Sequence, residues 1–334
     1  MRRPPPFAAL ALGVFAAAAP ARADDGAEAA RALREHDFRG ACVHAERAGG
    51  LLGEAILADA LVELGQVDAA EAVVERMPPG GLAYFRASYL LHLRGDDDRA
   101  LELMRAARES LDPRASHTTH TEIGDLLWLR GDLEGAKREY ERAARALPQG
   151  AAYAGLGRIA AARGELEEAS RCFEQAATLG DPALISELAF VRDAAGRKDD
   201  ARRAVERGVE IGRADPKLAR SLALLLADHA LDVEHAVDLA AREVADRPSI
   251  HSWDALSWAL LAAGKPAEAY VCATRATALG TKEPLLLFHA GMAAAAAGKR
   301  EEARARLGEA LRLNPAFHVK FAAVARERLR QLEK

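Results

Sequence analysis

The sequence has 334 residues and is poor in aromatic side chains, which make up 5% of it. Its formal net charge is only −4. So small a charge gives no basic surface of the kind that binds nucleic acid or an anionic membrane, so neither is expected as a partner. The sequence also lacks HExxH, GxSxG, a Walker loop and a Gly-rich dinucleotide turn. These absences predict a protein that is not an enzyme and needs no cofactor.

Cysteine is scarce as well. Cys42, Cys172 and Cys272 are isolated from one another, without CxxC or zinc-finger spacing. In the linear array of repeats described below they would lie too far apart to form a disulfide. We interpret them as structural thiols.

The longest apolar run lies at the N-terminus. The positively charged MRRPPP precedes FAALALGVFAAAA, and ARA at 21–23 fits a small-x-small cleavage site. This run is well short of the roughly 20 residues that span a bilayer. We therefore predict a signal peptide at 1–23, cleaved after Ala23, and export to the periplasm or beyond, with no membrane-spanning segment left after cleavage.

Glycine recurs at a regular interval in the rest of the chain. Gly131 and Gly164 are 33 residues apart, and Gly264 and Gly298 are 34 apart, each followed five residues later by alanine. Further members of the series are Gly65, Gly95, Gly196 and, without glycine, Leu231. A period of about 34 residues with helix–turn–helix content is the signature of the tetratricopeptide repeat.

Individual segments resemble that family at its characteristic positions. The matching residues are Ile123, Gly124, Leu127, Ala136, Tyr140, Ala143 and Pro148; Leu156, Gly157, Ala169, Phe173 and Ala176; Trp253, Leu256, Leu260, Ala269 and Ala276; and Ala290, Gly291, Ala303, Ala310 and Pro315. Small residues let the two helices of a repeat touch, and a glycine with positive φ ends the first helix. One pair cannot bury its apolar faces, so the repeats must stack.

The resemblance implies an all-α fold, a right-handed solenoid of antiparallel helix pairs. After the signal peptide we expect a degenerate first helix pair at 24–49 and a capping helix at 316–334. Between them we expect repeats at about 51–80, 81–113, 117–149, 150–181, 182–215, 217–249, 250–283 and 284–315. The segment PRASHTTH at 113–120 is the expected irregular joint.

Two tryptophans lie close together in SWDALSW at 252–258. Five residues along a helix turn the direction by about 140°, so Trp253 and Trp258 cannot serve the same surface. The resemblance assigns Trp253 to the core and Trp258 to the concave face of the solenoid. We therefore expect Trp253→Ala to destabilise the fold far more than Trp258→Ala.

Extending that face along the array gives a candidate binding surface of aromatic, apolar and charged residues, and most of the charged residues are aspartates. Its members are Tyr89, His92, Asp125, Trp128, Arg158, Phe190, Asp193, Leu225, Asp228, Asp254, Trp258, Phe288 and Met292. Such a lining suits a peptide with apolar anchors and some positive charge. The alternative is that several of these residues pack against the next repeat.

Metal binding is a further hypothesis. HTTH at 117–120 offers two histidines on one helical face, but a zinc site needs three or four ligands. Asp228, His229, His251 and Asp254 come from adjacent repeats and could converge. Solvated polar residues are the favoured interpretation of both groups.

The leading functional hypothesis is a non-catalytic scaffold of the cell envelope that binds a protein or peptide segment on its concave face. The first alternative is an envelope assembly factor or chaperone for outer-membrane or secreted clients. The second is a metal-binding protein that uses the histidine–aspartate cluster. Partner identity and oligomeric state are left open by the sequence.

Overall fold

The computed structural model describes residues 23–112, 116–147 and 150–333. Three sequence predictions fall at least partly outside these ranges. They are nearly all of the signal peptide, the start of the joint at 113–120, and Pro148, one of the residues that match the repeat family. Within them the chain forms nineteen α-helices and no strand. None of the described helices combines the length and apolarity needed to cross a bilayer.

The helices follow one another in antiparallel pairs. The first pair is α1 (Ala23–Arg34) with α2 (Phe38–Ala48), and α19 (Phe321–Glu333) follows the last pair. Between them lie α3 (Gly50–Glu63), α4 (Val67–Arg76), α5 (Gly81–Leu93), α6 (Asp97–Ser110), α7 (Ser116–Leu129), α8 (Leu133–Ala146), α9 (Gly150–Ala162), α10 (Leu166–Ala177), α11 (Pro182–Ala194), α12 (Lys198–Ala214), α13 (Ala219–Asp228), α14 (Val233–Asp246), α15 (Ile250–Ala262), α16 (Pro266–Ala276), α17 (Pro284–Ala296) and α18 (Arg300–Leu313). The prediction of an all-α solenoid of helix pairs is confirmed.

Left-handed backbone ends the first helix of most pairs. The predicted turn glycines adopt φ between +71° and +78°, and Gly131, for example, has φ +75°. At the turn that lacks glycine, Ala230 and Asp232 adopt positive φ instead. The second helix then often begins on an aspartate cap, as at Asp132, whose carboxylate accepts the N–H of Gly135 at 2.8 Å. The period of about 34 residues in the sequence is thus the spacing between the turns that join the two helices of successive pairs.

Small residues allow the two helices of a pair to approach closely. Tyr140 is fully buried in the pair α7–α8. A Cβ at Gly124 would lie 2.6 Å from its ring, and one at Gly155 of the next pair would lie 2.4 Å from it. The same ring therefore joins one pair to the next.

The solenoid closes on itself. A Cβ at Gly65 would lie 2.5 Å from the carbonyl oxygen of Pro248, and one at Gly95 would lie 2.3 Å from that of Gly280. One at Gly131 would lie 2.8 Å from the carbonyl oxygen of Leu313. Each of these three glycine turns thus contacts the loop that follows the helix pair five pairs further along the chain. The contacting residues are 182 to 185 positions apart in the sequence. We call this contact between successive turns of the superhelix the seam.

Polar contacts reinforce the seam. The Nδ2 amide of Asn314, a completely buried residue, donates to the carbonyl oxygen of Trp128 at 2.7 Å. Arg247 Nη1 lies 3.2 Å from Glu63 Oε2. These groups are buried or nearly buried, so leaving them without a partner would cost desolvation free energy. Their pairing across the seam therefore stabilises the contact between successive turns of the superhelix.

The concave face of the solenoid is formed by the first helix of each pair. The residues that follow α18, 314–333, lie on this face, and we call them the C-terminal segment. Phe317 and Phe321 are buried against Phe190 of α11 and Phe288 of α17. The ring centroids of Phe288 and Phe321 are 5.1 Å apart. This segment therefore does more than cap the last pair, because it also fills the concave face in the C-terminal half.

The turn glycines offer a direct test of the seam. Gly95→Ala and Gly264→Ala both force alanine into left-handed backbone, at φ +76° and +71°, which costs about 1–2 kcal/mol. A Cβ at Gly264 has nothing within 4 Å, whereas one at Gly95 meets the Gly280 carbonyl. We expect Gly95→Ala to lower the free energy of unfolding by about 1–3 kcal/mol more than Gly264→Ala. Urea unfolding of the two variants measures the difference, and equal losses would argue against the seam.

Candidate functional site

All thirteen predicted lining residues lie on the first helix of a helix pair, and five of them surround one cavity. The cavity has a volume of about 300 Å³. The five are Tyr89, His92, Asp125, Trp128 and Arg158, contributed by α5, α7 and α9. Residues from the other side of the seam complete the wall, among them His251, Glu283, Leu285 and Phe317. Closure of the superhelix therefore creates this inner cavity.

Aromatic and aliphatic side chains form much of its surface. Trp128 and Phe85 are buried within the core, while Tyr89 packs against that core and is partly exposed. Leu285 is 36% exposed. The cavity thus has an apolar wall beside charged groups, the combination found in most ligand pockets.

A histidine–carboxylate network in the cavity wall spans the seam. His92 Nδ1 lies 2.7 Å from Asp97 Oδ1, and its Nε2 lies 3.3 Å from Glu283 Oε1. His251 Nε2 lies 3.1 Å from the same Glu283 oxygen. Burial disfavours the imidazolium of His92, but the hydrogen bonds to Asp97 and Glu283 outweigh burial and raise its pKa to about 10. Burial raises the pKa of Glu283, but the charges and hydrogen bonds of His251 and His92 outweigh burial and lower it. Both groups are charged at neutral pH.

Arg158, also in the cavity wall, lies near two carboxylates. Its Nη1 is 3.8 Å from Asp125 Oδ1, and its Nε is 3.8 Å from Glu187 Oε1. Asp125 also accepts the Tyr140 hydroxyl at 2.7 Å. Burial works against the guanidinium, but Glu187 and Asp125 raise its pKa above the ordinary value. The two ion-pair distances are longer than those of direct charge-assisted hydrogen bonds, about 2.7–2.9 Å.

In the C-terminal half the predicted lining is packed rather than open. Phe190, Leu225 and Phe288 are buried, with 4%, 0% and 0% of their surface exposed. Met292 packs against the same cluster as Phe288. Asp193 is exposed to solvent. These positions lie on first helices as predicted, but the C-terminal segment and neighbouring repeats cover most of them.

Trp258 belongs to this packed cluster. Its ring stacks on His289 with centroids 4.1 Å apart, and its Nε1 donates to Asp228 Oδ1 at 2.9 Å. The carboxylate of Asp254 accepts from His289 Nδ1 at 3.0 Å. Trp253 is likewise half-buried and packs against two core clusters. We expected Trp253 in the core and Trp258 on the binding surface. In the structure both rings are half-buried and pack against core residues, so the two do not differ in this way.

The proposed metal ligands do not converge. His229 Nε2 and Asp228 Oδ2 contact Ser186 Oγ at 3.1 Å and 2.9 Å. His251 instead contacts Glu283, and Asp254 contacts His289. In the part of the chain that the structure describes, no group of three such side chains is arranged to hold a metal ion. In the HTTH segment, His120 Nδ1 contacts Glu139 Oε2 at 2.6 Å.

Sequence reasoning missed several charged residues of the inner cavity. Glu122 and Glu187 line it one helical turn before Asp125 and Phe190, which were on the predicted surface. Extending the predicted stripe by three residues toward each helix N-terminus would have included both, and His251 as well. Glu283 had no such signal, because it lies just before α17 begins.

His318 connects the cavity wall to the packed cluster. Its Nδ1 accepts the backbone N–H groups of Lys320 and Phe321 at 3.1 Å and 3.2 Å, and its Nε2 faces Glu187 Oε2 at 3.5 Å. This arrangement requires a neutral ring with its proton on Nε2. Burial, assisted by the positive charges of Arg158 and Lys320 and opposed by Glu187, lowers the pKa of His318 to about 4.

The lowered pKa predicts a loss of stability in acid. An unfolded histidine takes up a proton near pH 6.5, and the folded one only near pH 4, so stability decreases as the pH falls between these values. At pH 4.5 the contribution of His318 is about 2–3 kcal/mol relative to pH 7. In His318→Asn the side-chain oxygen can still accept from the backbone but does not titrate. Urea unfolding at both pH values should show a smaller acid loss for this variant than for the wild type, and equal losses would contradict the assignment.

No protein-family model matches the chain, and no curated protein matches it in sequence. Solved structures do resemble it. A chain of the APC/C hetero-tetramer Cut9–Hcn1 aligns at a TM-score of 0.45 and 18% identity, over 92% of this chain and 63% of that one. The present chain therefore spans less than two thirds of that protein. A tetratricopeptide repeat protein from Parabacteroides merdae ATCC 43184 aligns at a TM-score of 0.41 and 15% identity, over 76% of this chain and 99% of the other.

Proposed function

We propose that the protein is a non-catalytic interaction module that binds a segment of a partner protein at the inner cavity of its concave face. The inner cavity supports this proposal most directly, because aromatic and charged side chains from α5, α7 and α9 meet Glu283 and Leu285 there, across the seam. Tyr89, which is partly exposed, supplies an aromatic surface of the kind on which binding energy concentrates. The partly exposed Leu285 offers an apolar contact to an incoming segment.

The packed C-terminal half supports the same proposal. There the chain's own segment lies on the concave face, with Phe317 and Phe321 as buried anchors. Lys320 Nζ lies 4.8 Å from the centre of the Phe190 ring. The concave face of this solenoid thus has the shape and chemistry to hold a polypeptide segment. The inner cavity is the part that the C-terminal segment leaves open.

Two leucines of similar exposure test the proposal. Leu285 lines the inner cavity and is 36% exposed, whereas Leu51 on α3 is 39% exposed and is not among the lining residues. We expect Leu285→Arg to abolish capture of the partner from an envelope extract, because the long charged side chain obstructs the cavity. Leu51→Arg should capture it as the wild type does. Equal capture by all three proteins would reject the cavity as the binding site. A single captured protein favours a scaffold, and many weakly bound proteins favour a chaperone.

We further propose that the protein acts in the cell envelope after export. The charged leader, apolar run and small-x-small site at residues 1–23 support this. Cleavage after Ala23 would leave α1 intact apart from its first residue, with Asp24 and Asp25 in its first turn. N-terminal sequencing of protein from its native host should begin at Asp24. A retained Met1 on a cytoplasmic protein would reject export.

A further inference from the structure

We propose that the C-terminal segment is an acid-sensitive gate over the concave face of the solenoid. Protonation of His318 loosens the segment, and its release uncovers the aromatic surface of Phe190, Trp258 and Phe288. The inference concerns the chain's own segment, so it does not depend on whether the inner cavity binds a partner.

His318 joins the segment to the concave face through a neutral ring. Its Nδ1 accepts the backbone N–H groups of Lys320 and Phe321, at the start of α19, at 3.1 Å and 3.2 Å. The ring stacks on Phe321 with centroids 4.2 Å apart and meets Phe190 of α11 edge-on at 5.1 Å. A proton on Nδ1 removes the acceptor for both hydrogen bonds and adds a charge between the aromatic rings. The protonated ring therefore does not fit the closed arrangement.

Most of the charged groups that face His318 are basic. Burial is the main cause that lowers the pKa of His318 to about 4, and His289 of α17, Arg158 of α9 and Lys320 of the segment itself assist it. Glu187 of α11 opposes them, and its Oε2 lies 3.5 Å from His318 Nε2. The closed segment thus disfavours the imidazolium, which a histidine in water forms near pH 6.5.

His229 of α13 strengthens the response to acid. Its ring stacks on Phe190 with centroids 4.7 Å apart, and Lys320 Nζ lies 4.8 Å from the centre of the same ring. Burial and the charge of Lys320, opposed by Asp193, lower the pKa of His229 to about 4. Protonation of His229 and His318 thus places three positive charges next to one phenylalanine ring, and their mutual repulsion favours release of the segment.

The segment can open without breaking the seam. Asn314, where the segment starts, is bonded to the carbonyl oxygen of Trp128 across the seam at 2.7 Å. Beyond this anchor the buried residues of α19 are Phe321, Ala322 and Ala325, and one side of the helix is exposed to solvent. An element held by so few buried side chains can open locally at a lower free energy than global unfolding.

Release changes what the concave face offers to a partner. The ring of Phe321 covers Phe190, Trp258 and Phe288, with centroid distances of 5.3 Å, 5.5 Å and 5.1 Å. Phe317 of the same segment lines the inner cavity. The open form therefore extends the inner cavity into an aromatic surface along the C-terminal half, whereas the closed form offers the inner cavity alone.

The sign and size of the effect follow from proton linkage. His318 titrates near pH 4 in the closed segment and near pH 6.5 once released, so opening becomes more favourable as the pH falls between these values. Between pH 7 and pH 4.5 the equilibrium constant for opening should increase about 60-fold from His318 alone.

Hydrogen exchange of the full chain, followed by mass spectrometry at pH 7 and pH 4.5, tests the gate. After correction for the chemical exchange rate, we expect the amides of 317–333 to be less protected than those of α8 at both pH values. The opening constant of the segment should increase about 60-fold in acid. Equal protection of the segment and α8 would mean that the segment opens only by global unfolding and would overturn the inference. Early opening that is the same at both pH values would overturn it too.

A matched pair of variants assigns the effect to His318. His318→Asn retains an acceptor for the backbone but does not titrate, so the acid increase should fall to about fivefold or less. His235→Asn removes a partly exposed histidine of α14, outside the segment, and should behave as the wild type does. A full acid increase in His318→Asn would contradict the assignment. NMR titration of the wild type gives a second measurement that needs no variant: the His318 ring should titrate near pH 4, and titration near pH 6.5 would overturn the inference.

Discussion

Replacing Arg86 by methionine is expected to lower the free energy of unfolding by about 3–5 kcal/mol. Arg86 is only 2% exposed, and its Nη2 donates to Asp59 Oδ2 at 2.7 Å. Its Nε and Nη1 donate to the carbonyl oxygens of Ala55 and Leu82 at 2.8 Å and 3.1 Å. Methionine fills much of the volume but leaves Asp59 Oδ2 without its donor and removes the additional hydrogen bond of each of the two carbonyl groups. Burial already raises the pKa of Asp59 to about 7 with Arg86 present, so the remaining carboxyl group would be left in an unfavourable environment.

Urea unfolding of a small set of variants measures this effect. Arg94→Met is the matched control, because Arg94 pairs with Glu71 at 2.8 Å at the surface and should cost less than about 1 kcal/mol. The double variant Asp59→Leu with Arg86→Met should recover much of the loss, since it removes both buried charges. A loss below about 1 kcal/mol for Arg86→Met alone would show that the pair contributes little to stability.

Trp258→Ala is expected to cost about 3–5 kcal/mol as well. The ring contacts Phe288 and Phe321 with centroids 5.7 Å and 5.5 Å apart, and it stacks on His289. Its removal would leave a cavity and would take a donor from Asp228, a carboxyl group whose pKa burial already raises to about 6. The variant should therefore be at least as unstable as Trp253→Ala.

Thermal and urea unfolding of both alanine variants, with Trp258→Phe as a control, tests this. Phenylalanine keeps most of the packing and loses only the Nε1 donor, so it should cost about 1–2 kcal/mol. A Trp258→Ala variant close to wild-type stability would support the original expectation that this tryptophan serves binding rather than packing.

Much of the fold could be predicted from the sequence because its determinants are local. Each helix pair is defined within about 34 residues by a turn glycine such as Gly131, small contact residues such as Gly124, and a large partner such as Tyr140. Even the turn without glycine was placed correctly at Leu231, between α13 and α14. Stacking then follows, since no pair can bury its own faces.

Closure of the superhelix could not be predicted in the same way. The contact between Gly95 and Gly280 depends on the small rotation from each repeat to the next, summed over five pairs. No local pattern encodes that sum. Five of the predicted lining residues do meet at one cavity, but Glu283 joins them only because of closure. The packed environment of Trp258 likewise depends on where the C-terminal residue Phe321 lies.

Small-angle X-ray scattering of the full chain in solution tests the closed superhelix most directly, because the inner cavity exists only if successive turns touch. A compact chain of this length has a radius of gyration of about 20 Å. We expect a value close to this, a single-peaked distance distribution, and a scattering curve that fits the closed structure. A markedly larger radius with an elongated distribution would mean that the turns separate, and it would contradict both the seam and the cavity built on it.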